Sequence, residues 1–273
     1  MPSLIKDTLY DLQKLGIRPS KSLGQNFLVD ENVVKLLIKL ADLRKSDVVI
    51  EVGPGLGVLT EKILEIGAIL FAIELDRNLF EFLREKFSQY QNFKIVNGDA
   101  VKFPIASIPK EVSDYKIVSN LPYAISSAWM DNLLSYNNLP SEIHLIVQSE
   151  TSDRYFASCG TKDFCPIAIF LQSAYEKLLV KKISKMSFYP VPAVDSVIIS
   201  MRKKSVPFLF KKDTKQCIRN VFTKRRKQIF GISKSLPHAL KQWIYYANIP
   251  KISRPEDIAI DQWQILDSFF ENH

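Results

Sequence analysis

Cysteine and histidine are scarce, with three of each in 273 residues. Cys159, Cys165 and Cys217 are scattered, odd in number and form no C-x-x-C pair, so neither a disulfide framework nor a thiolate zinc site has a basis. His144, His238 and His273 lie far apart and give no support to a His-based metal site or a catalytic triad; all three read as structural or surface residues, and no metal is expected. No apolar run reaches the ~20 residues that a bilayer span requires. The stretch Met1 to Arg18 lacks the apolar core of a signal peptide, and its Asp7 and Asp11 do not suit a transit peptide. Internal repeats and low-complexity tracts are missing as well. These absences argue against secretion and membranes and lead to the expectation of a cytoplasmic protein.

Acidic residues are scarce in one place. Between Met201 and Phe230 stand Arg202, Lys203, Lys204, Lys211, Lys212, Lys215, Arg219, Lys224, Arg225, Arg226 and Lys227, with Asp213 as the single acid. That stretch carries +10 in a chain whose total is +8, which leaves −2 for everything else. A positive field this local suits a polyanion such as nucleic acid or an anionic membrane, although a lone run of charge is more often a solvated helix face.

The length fits one large domain with a small appendage, or two ordinary domains. Residues 1–30 read as a mixed polar arm ending in Ser22-Leu23-Gly24-Gln25-Asn26-Phe27-Leu28. The apolar spacing of Val33, Val34, Leu36, Leu37 and Leu40 predicts a helix over 31–44. Buried strands are predicted at Val48–Ile50, Ile69–Ile73, Phe93–Val96, Tyr115–Val118 and Ile143–Val147, with helices up to about Ile66, over about Leu79–Ser88 and over Ala128–Leu134. Strands alternating with helices imply a doubly wound, mainly parallel α/β sheet. Lys177–Ile183 and Val194–Met201 would add an antiparallel pair at one edge. After Lys204 strands vanish, bases cluster, and helical spacing appears at Ile218, Val221 and Phe222 and again from Trp263 to Phe270. The expected domains are therefore 1–204 and a small, basic, helical 205–273.

Between the first buried strand and its helix lie Gly53, Gly55 and Gly57. Glycines there let the backbone approach a nucleotide-like ligand. The G-x-G-x-G spacing differs from the G-x-G-x-x-G of dinucleotide enzymes. The strand also carries Glu51, which disfavours a phosphate and favours a ligand with ammonium or sulfonium charge. S-adenosylmethionine meets that description. Glu74, about twenty residues beyond the glycines, would hold its ribose hydroxyls, and Asp99 would accept from its adenine amine. Each acid alone is an ordinary cap or loop residue. The ordered series at successive strand ends is what marks a site.

Asn120-Leu121-Pro122-Tyr123 follows the fourth strand. An exocyclic adenine amine is a poor nucleophile because its lone pair is delocalised into the ring. The Asn120 side-chain oxygen and the Leu121 carbonyl would hold its two N–H bonds, Pro122 would stiffen the turn, and Tyr123 would stack on an extruded base. Phe188, in a Pro-stiffened loop, is the candidate for the opposite face.

Together these residues resemble the rRNA adenine N6-dimethyltransferase family. The resemblance covers almost the whole chain: Gln25-Asn26-Phe27-Leu28, Glu51-x-Gly53-x-Gly55-x-Gly57, Glu74-Leu75-Asp76, Gly98-Asp99-Ala100, Asn120-Leu121-Pro122-Tyr123, Phe188-x-Pro190-x-Pro192-x-Val194-Asp195-Ser196, Phe222-x-x-Arg225-Arg226-Lys227 and Arg254-Pro255-Glu256. It implies a Rossmann-like S-adenosylmethionine-dependent methyltransferase sheet, with Gln25, Asn26, Leu28, Leu75, Ala100 and Asn120 added to the cofactor contacts. It also implies rRNA contacts through Arg219, Lys224, Arg225, Arg226 and Lys227. The C-terminal motifs point to the branch that dimethylates two adjacent adenines near the 3′ end of small-subunit rRNA, within a pre-30S-like particle and as a monomer. Ala124, the Ser126-Ser127-Ala128-Trp129 run and Cys165-Pro166 depart from the family pattern. Two other readings stand beside this one: a large-subunit rRNA methyltransferase of the macrolide-resistance type, and a non-catalytic nucleic-acid-binding or assembly factor on the same fold.

Overall fold

In the computed structural model, which describes residues 3–20, 24–233 and 238–270, internal contacts divide the chain into two units. One comprises 1–152 and 177–203, the other 153–176 and 204–273. The later junction falls one residue from the expected boundary. The segment 153–176, however, groups with the second unit and not with the first, as the sequence had suggested. Ser22, Leu23 and His273 lie outside the described residues, and so does the side chain of His238.

The first unit begins with helix α1 (Ser3–Lys14), strand β1 (Phe27–Leu28) and helix α2 (Glu31–Ala41). There follow β2 (Val48–Val52), α3 (Val58–Ile66), β3 (Ile69–Glu74), α4 (Arg77–Lys86), β4 (Phe93–Asn97), β5 (Lys116–Asn120), α5 (Ser126–Leu133) and β6 (Glu142–Gln148). Helix α6 (Ser149–Tyr155) crosses the junction, and β7 (Tyr175–Ile183), β8 (Phe188–Tyr189) and β9 (Ser196–Lys203) complete the set. Helix α1 corrects the expectation of a polar arm. Its buried stripe is Leu12 and Thr8, with Leu4 packed on the core one turn before. A threonine in the middle of the stripe hides the period of four from a hydrophobicity reading.

Seven strands form one sheet in the order β4-β3-β2-β5-β6-β9-β7. The pairs β4–β3, β3–β2, β2–β5 and β5–β6 are parallel, while β9 runs antiparallel to β6 with Ile146 opposite Ile198. The two edge runs expected from the sequence are both present, but β9 inserts beside β6 and leaves β7 outermost. Strands buried on both faces explain the unbroken Val49-Ile50, Leu70-Phe71-Ala72-Ile73 and Leu145-Ile146-Val147 runs, all at 3% exposure or less. His144 is structural. It sits between Ser200 Oγ at 2.9 Å and Glu142 Oε2 at 3.1 Å, and Glu142 also accepts from Arg202 Nε at 2.9 Å. Burial holds the imidazole below its usual pKa; on Glu142 burial pushes up, but the Arg202 and His144 hydrogen bonds and charges outweigh it and hold the carboxyl below its own.

The second unit contains α7 (Pro166–Ala174), α8 (Lys212–Phe222), α9 (Ile229–Ser233), α10 (His238–Tyr246) and α11 (Ile260–Leu266). Trp243 stacks on Trp263 with ring centroids 4.7 Å apart, and Phe222 packs on Trp263 at 5.8 Å. Helix α7 explains why 153–176 belongs here. It buries Ile167, Ala168, Ile169, Phe170, Leu171 and Ala174, and it packs on α8 and α11. A helix apolar all round gives no amphipathic signal. Cys159, Cys165 and Cys217 are unpaired. No helix among the described residues is long and apolar enough to cross a membrane.

Candidate active site

A cavity of about 370 Å³ opens in the first unit, at the carboxyl ends of the parallel strands, where open α/β sheets receive ligands. Its wall takes residues from the β2–α3 turn, from the ends of β3, β4 and β5, and from the 24–28 segment. Gly53 and Gly55 adopt φ of 64° and 62°, and the Gly53 amide donates to the Ile73 carbonyl at 2.9 Å. A Cβ on Gly53 would lie 2.7 Å from Pro122 Cγ, so the glycine turn and the Asn120–Tyr123 segment pack directly together.

Gly57 does not line the cavity. It caps α3 at φ 82°, and a Cβ there would meet Phe87 at 2.6 Å and Leu83 at 2.8 Å. Its expected place among ligand contacts gives way to a packing role between α3 and α4. Gly57→Ala should therefore cost roughly 2–4 kcal/mol of stability from left-handed strain and overpacking. Thermal melts should show the same loss with and without cofactor, whereas Gly53→Ala should also weaken cofactor binding.

Among the described residues the wall carries three carboxylates, Glu51, Glu74 and Asp99, and no Lys, Arg or His. Glu51 is 1% exposed and accepts from Thr60 Oγ1 at 2.6 Å. Burial pushes its pKa up to about 8, against the pull of the Thr60 bond and with help from the nearby Glu74 charge. Glu74 accepts from the Gly55 amide at 3.2 Å and the Asp76 amide at 3.0 Å. Its pKa rises to about 7, again mainly through burial. Asp99 accepts from the Val101 amide at 2.9 Å. Ala100 is buried beside it, and Leu75 stands 53% exposed at the wall.

Asn120 ends β5. Its Nδ2 donates to the Asn26 carbonyl at 2.9 Å, which fixes the orientation of the carboxamide. Its Oδ1 is buried and has no hydrogen-bond partner among the described residues. A buried, unpartnered acceptor on a cavity wall is costly, and it marks a place where a donor is to be received. The Leu121 amide donates to Ile146 O at 3.2 Å, and Pro122 at φ −55° turns the chain into a short 3-10 segment, Tyr123–Ile125. The Tyr123 hydroxyl is hydrogen-bonded to Ser196 Oγ at 2.6 Å, and burial raises its pKa. Gln25 reaches Asp76 at 3.4 Å, and Asn26 Nδ2 donates to Gly24 O at 3.1 Å. Gln25, Asn26 and Leu28 line the wall from the 24–28 segment.

Phe188 does not belong to this wall. It is 1% exposed, lies opposite Leu28 in the β1–β8 pair and packs in the core with Val34, Ile146 and Ile198. The expectation that it offers a stacking face is corrected: two proline brackets suggest a loop, but β8 pulls the ring inward. Two residues escaped the sequence reading. Thr8 of α1 lines the cavity, hidden in a segment taken for a polar arm. Ser196 holds Tyr123 across 73 positions, although the family motif ending in Val194-Asp195-Ser196 was a signal for it.

In the second unit the expected RNA contacts differ among themselves. Arg226 and Lys227 are exposed, while Lys224 and Arg225 are half-buried. Arg225 Nε lies 3.6 Å from Glu256 Oε2, which joins the two C-terminal motifs, and the Arg219 guanidinium lies 5.5 Å from the Phe170 ring centroid.

A parallel sheet ending in an antiparallel strand inserted beside β6, with an acid-lined cavity at its carboxyl edge, defines the Rossmann-like methyltransferase class. The chain belongs to the ribosomal RNA adenine dimethylase family, whose model matches residues 17–270. It is similar to the ribosomal RNA small subunit methyltransferase A of Opitutus terrae, with 40% identity over 262 residues, 93% of this chain and 94% of that protein. Among solved structures, a dimethyladenosine transferase from Plasmodium falciparum shares the fold at a TM-score of 0.71 and 24% identity, covering 88% of this chain and 95% of that one. The 23S rRNA methyltransferase ErmE matches at a TM-score of 0.64 and 25% identity, over 89% and 99%.

Proposed function

We propose that this rRNA adenine dimethyltransferase converts two adjacent adenines near the 3′ end of small-subunit rRNA to N6,N6-dimethyladenosine, in the cytoplasm, on a pre-30S-like particle. The observation that carries the reading is the buried Asn120 Oδ1, oriented by the bond from Nδ2 to Asn26 and left without a donor of its own.

The wall suits S-adenosylmethionine, which has no phosphate. Gly53 and Gly55 bring backbone close, Glu74 accepts from ribose hydroxyls, and Asp99 with Ala100 and Leu75 takes the adenine. Glu51 faces the cationic end, with Gln25, Asn26 and Leu28 closing from the arm. When bound, the cofactor supplies a methyl group on a sulfonium. Asn120 Oδ1 and the Leu121 carbonyl accept the two N–H bonds of the target amine, localising its lone pair and directing it in line. Tyr123, pinned by Ser196, stacks on the extruded base. No general base is needed before attack, because the nitrogen becomes acidic once it is alkylated and then gives its proton to water. Catalysis is thus positioning and electrostatics.

Labelled methyl transfer onto unmethylated small subunits, with nucleosides identified by mass spectrometry, should yield N6,N6-dimethyladenosine. Label appearing only in large-subunit rRNA would favour the macrolide-resistance type. Against that type stands 25% identity to the 23S enzyme, compared with 40% to a small-subunit one. Arg226 and Lys227 are assigned to rRNA phosphates, with Arg219, Lys224 and Arg225 supporting the same surface. Neutralising Arg226 and Lys227 together should reduce the slope of log affinity against log salt by about 1.5. An unchanged slope would make them ordinary solvated residues.

A further inference from the structure

From Thr214 to Pro255 the chain has no Asp or Glu and ten Lys and Arg. Within this carboxylate-free stretch, the outer face of α10 presents Tyr245 and Tyr246 at 82% and 69% exposure. Their rings meet edge to face at 5.8 Å, and Phe269 lies 5.6 Å from Tyr246. Lys241 and Gln242, one turn earlier, are exposed on the same face. The opposite face supplies Trp243 and Leu240, both fully buried, so the tyrosines are not needed to close the core. A second aromatic shows the same company: Phe230 is 41% exposed with Lys251 Nζ 5.1 Å from its ring centroid, and Ile252 beside it is 74% exposed.

We infer that Tyr245 and Tyr246 form a stacking platform for unpaired nucleotides of the rRNA, with Lys241 taking an adjoining phosphate. Large aromatic faces in a field of one sign bind single-stranded nucleic acid, because every base has a π face and every nucleotide a negative charge. An apolar protein partner would not call for a segment with ten bases and no acid. An acidic one would be met by the charges alone, without two exposed rings. The inference deepens the reading of the second unit as the RNA-binding part and rests on it.

The test compares a fluorescently labelled decauridylate with a blunt RNA duplex of equal charge. The double variant Tyr245→Ala/Tyr246→Ala should lose about tenfold in affinity for the single strand per base stacked. It should keep its duplex affinity and its salt dependence, since no charge is removed. Tyr→Phe at both positions should restore most of the loss. Tyr245→Ala alone should show part of the effect, and it avoids the Tyr246–Phe269 contact. Unchanged single-strand affinity, an equal loss on both RNAs, or a loss confined to binding of RNA-free ribosomal proteins would overturn the proposal. Methyl transfer by the wild-type protein is scored separately. Its failure would sink the active-site reading while leaving the stacking comparison intact.

Discussion

Asn120→Ala will lower kcat for methyl transfer by about 10²–10³-fold while small-subunit binding stays close to wild type. A preorganised polar group aimed at developing charge in a site that excludes water contributes about this much. The Ala variant removes the unpartnered acceptor, so the target amine keeps its lone pair in the ring even when the base is held. It also releases the Asn26 carbonyl, so cofactor affinity should fall modestly. Stability should change little, because a buried unsatisfied oxygen and one hydrogen bond leave together. Asn120→Asp keeps acceptor oxygens but gives up the bond to Asn26, and should recover part of the rate. Single-turnover methyl transfer alongside subunit binding checks all of this. Full activity in the Ala variant would remove Asn120 from the mechanism.

Cofactor affinity will rise with pH between 6 and 8. Glu51, with its pKa pushed up to about 8, is mainly neutral at pH 7 in the free protein. A cationic group beside it favours the ionised form, so binding releases a proton. Each unit by which the ligand lowers that pKa is a factor of ten in affinity, which gives up to about a hundredfold from pH 6 to pH 8, with a plateau above. Glu74, at about 7, adds to the same trend once ribose hydroxyls donate to it. Stability runs the other way. A carboxyl whose folded pKa is raised is fully tolerated below its unfolded value of 4.5 and weighs against the fold as pH climbs towards 8. Glu51→Gln should therefore melt higher than wild type at pH 8 and bind cofactor with a flatter pH dependence. Calorimetry in buffers of differing ionisation enthalpy would count the protons. A wild-type affinity that does not vary with pH would exclude this role for Glu51.

Much of the fold could be read from the chain because its parallel strands are buried on both faces and stand out as apolar runs between glycine and polar breaks. The order of those strands could not, since pairing is non-local: nothing in Ser196–Lys203 itself says that it enters beside β6. The amphipathic period failed twice, at α1 through Thr8 and at α7 through the lack of any polar face. In the site, residue types at strand ends were legible, and Glu51, Gly53, Glu74, Asp99 and Asn120 do share one wall. Gly57 and Phe188 were misplaced because their partners, Leu83 with Phe87 and Leu28, lie 26 or more residues away. The partnerless state of Asn120 Oδ1 could be seen only in three dimensions.

A carboxamide is nearly symmetric in shape, and its two ends differ only in what they can give or take. In this protein a single main-chain carbonyl, 94 positions earlier in the chain, decides which end of Asn120 is which. A protein shortened to begin after Leu28 would keep Asn120, Leu121 and Tyr123 but lose the carbonyl that orients the first of them. Its amide would then lack the bond that sets its polarity, and could turn a donor towards an amine that needs an acceptor. The arm at the start of the chain thus sets the polarity of a group it does not itself contain.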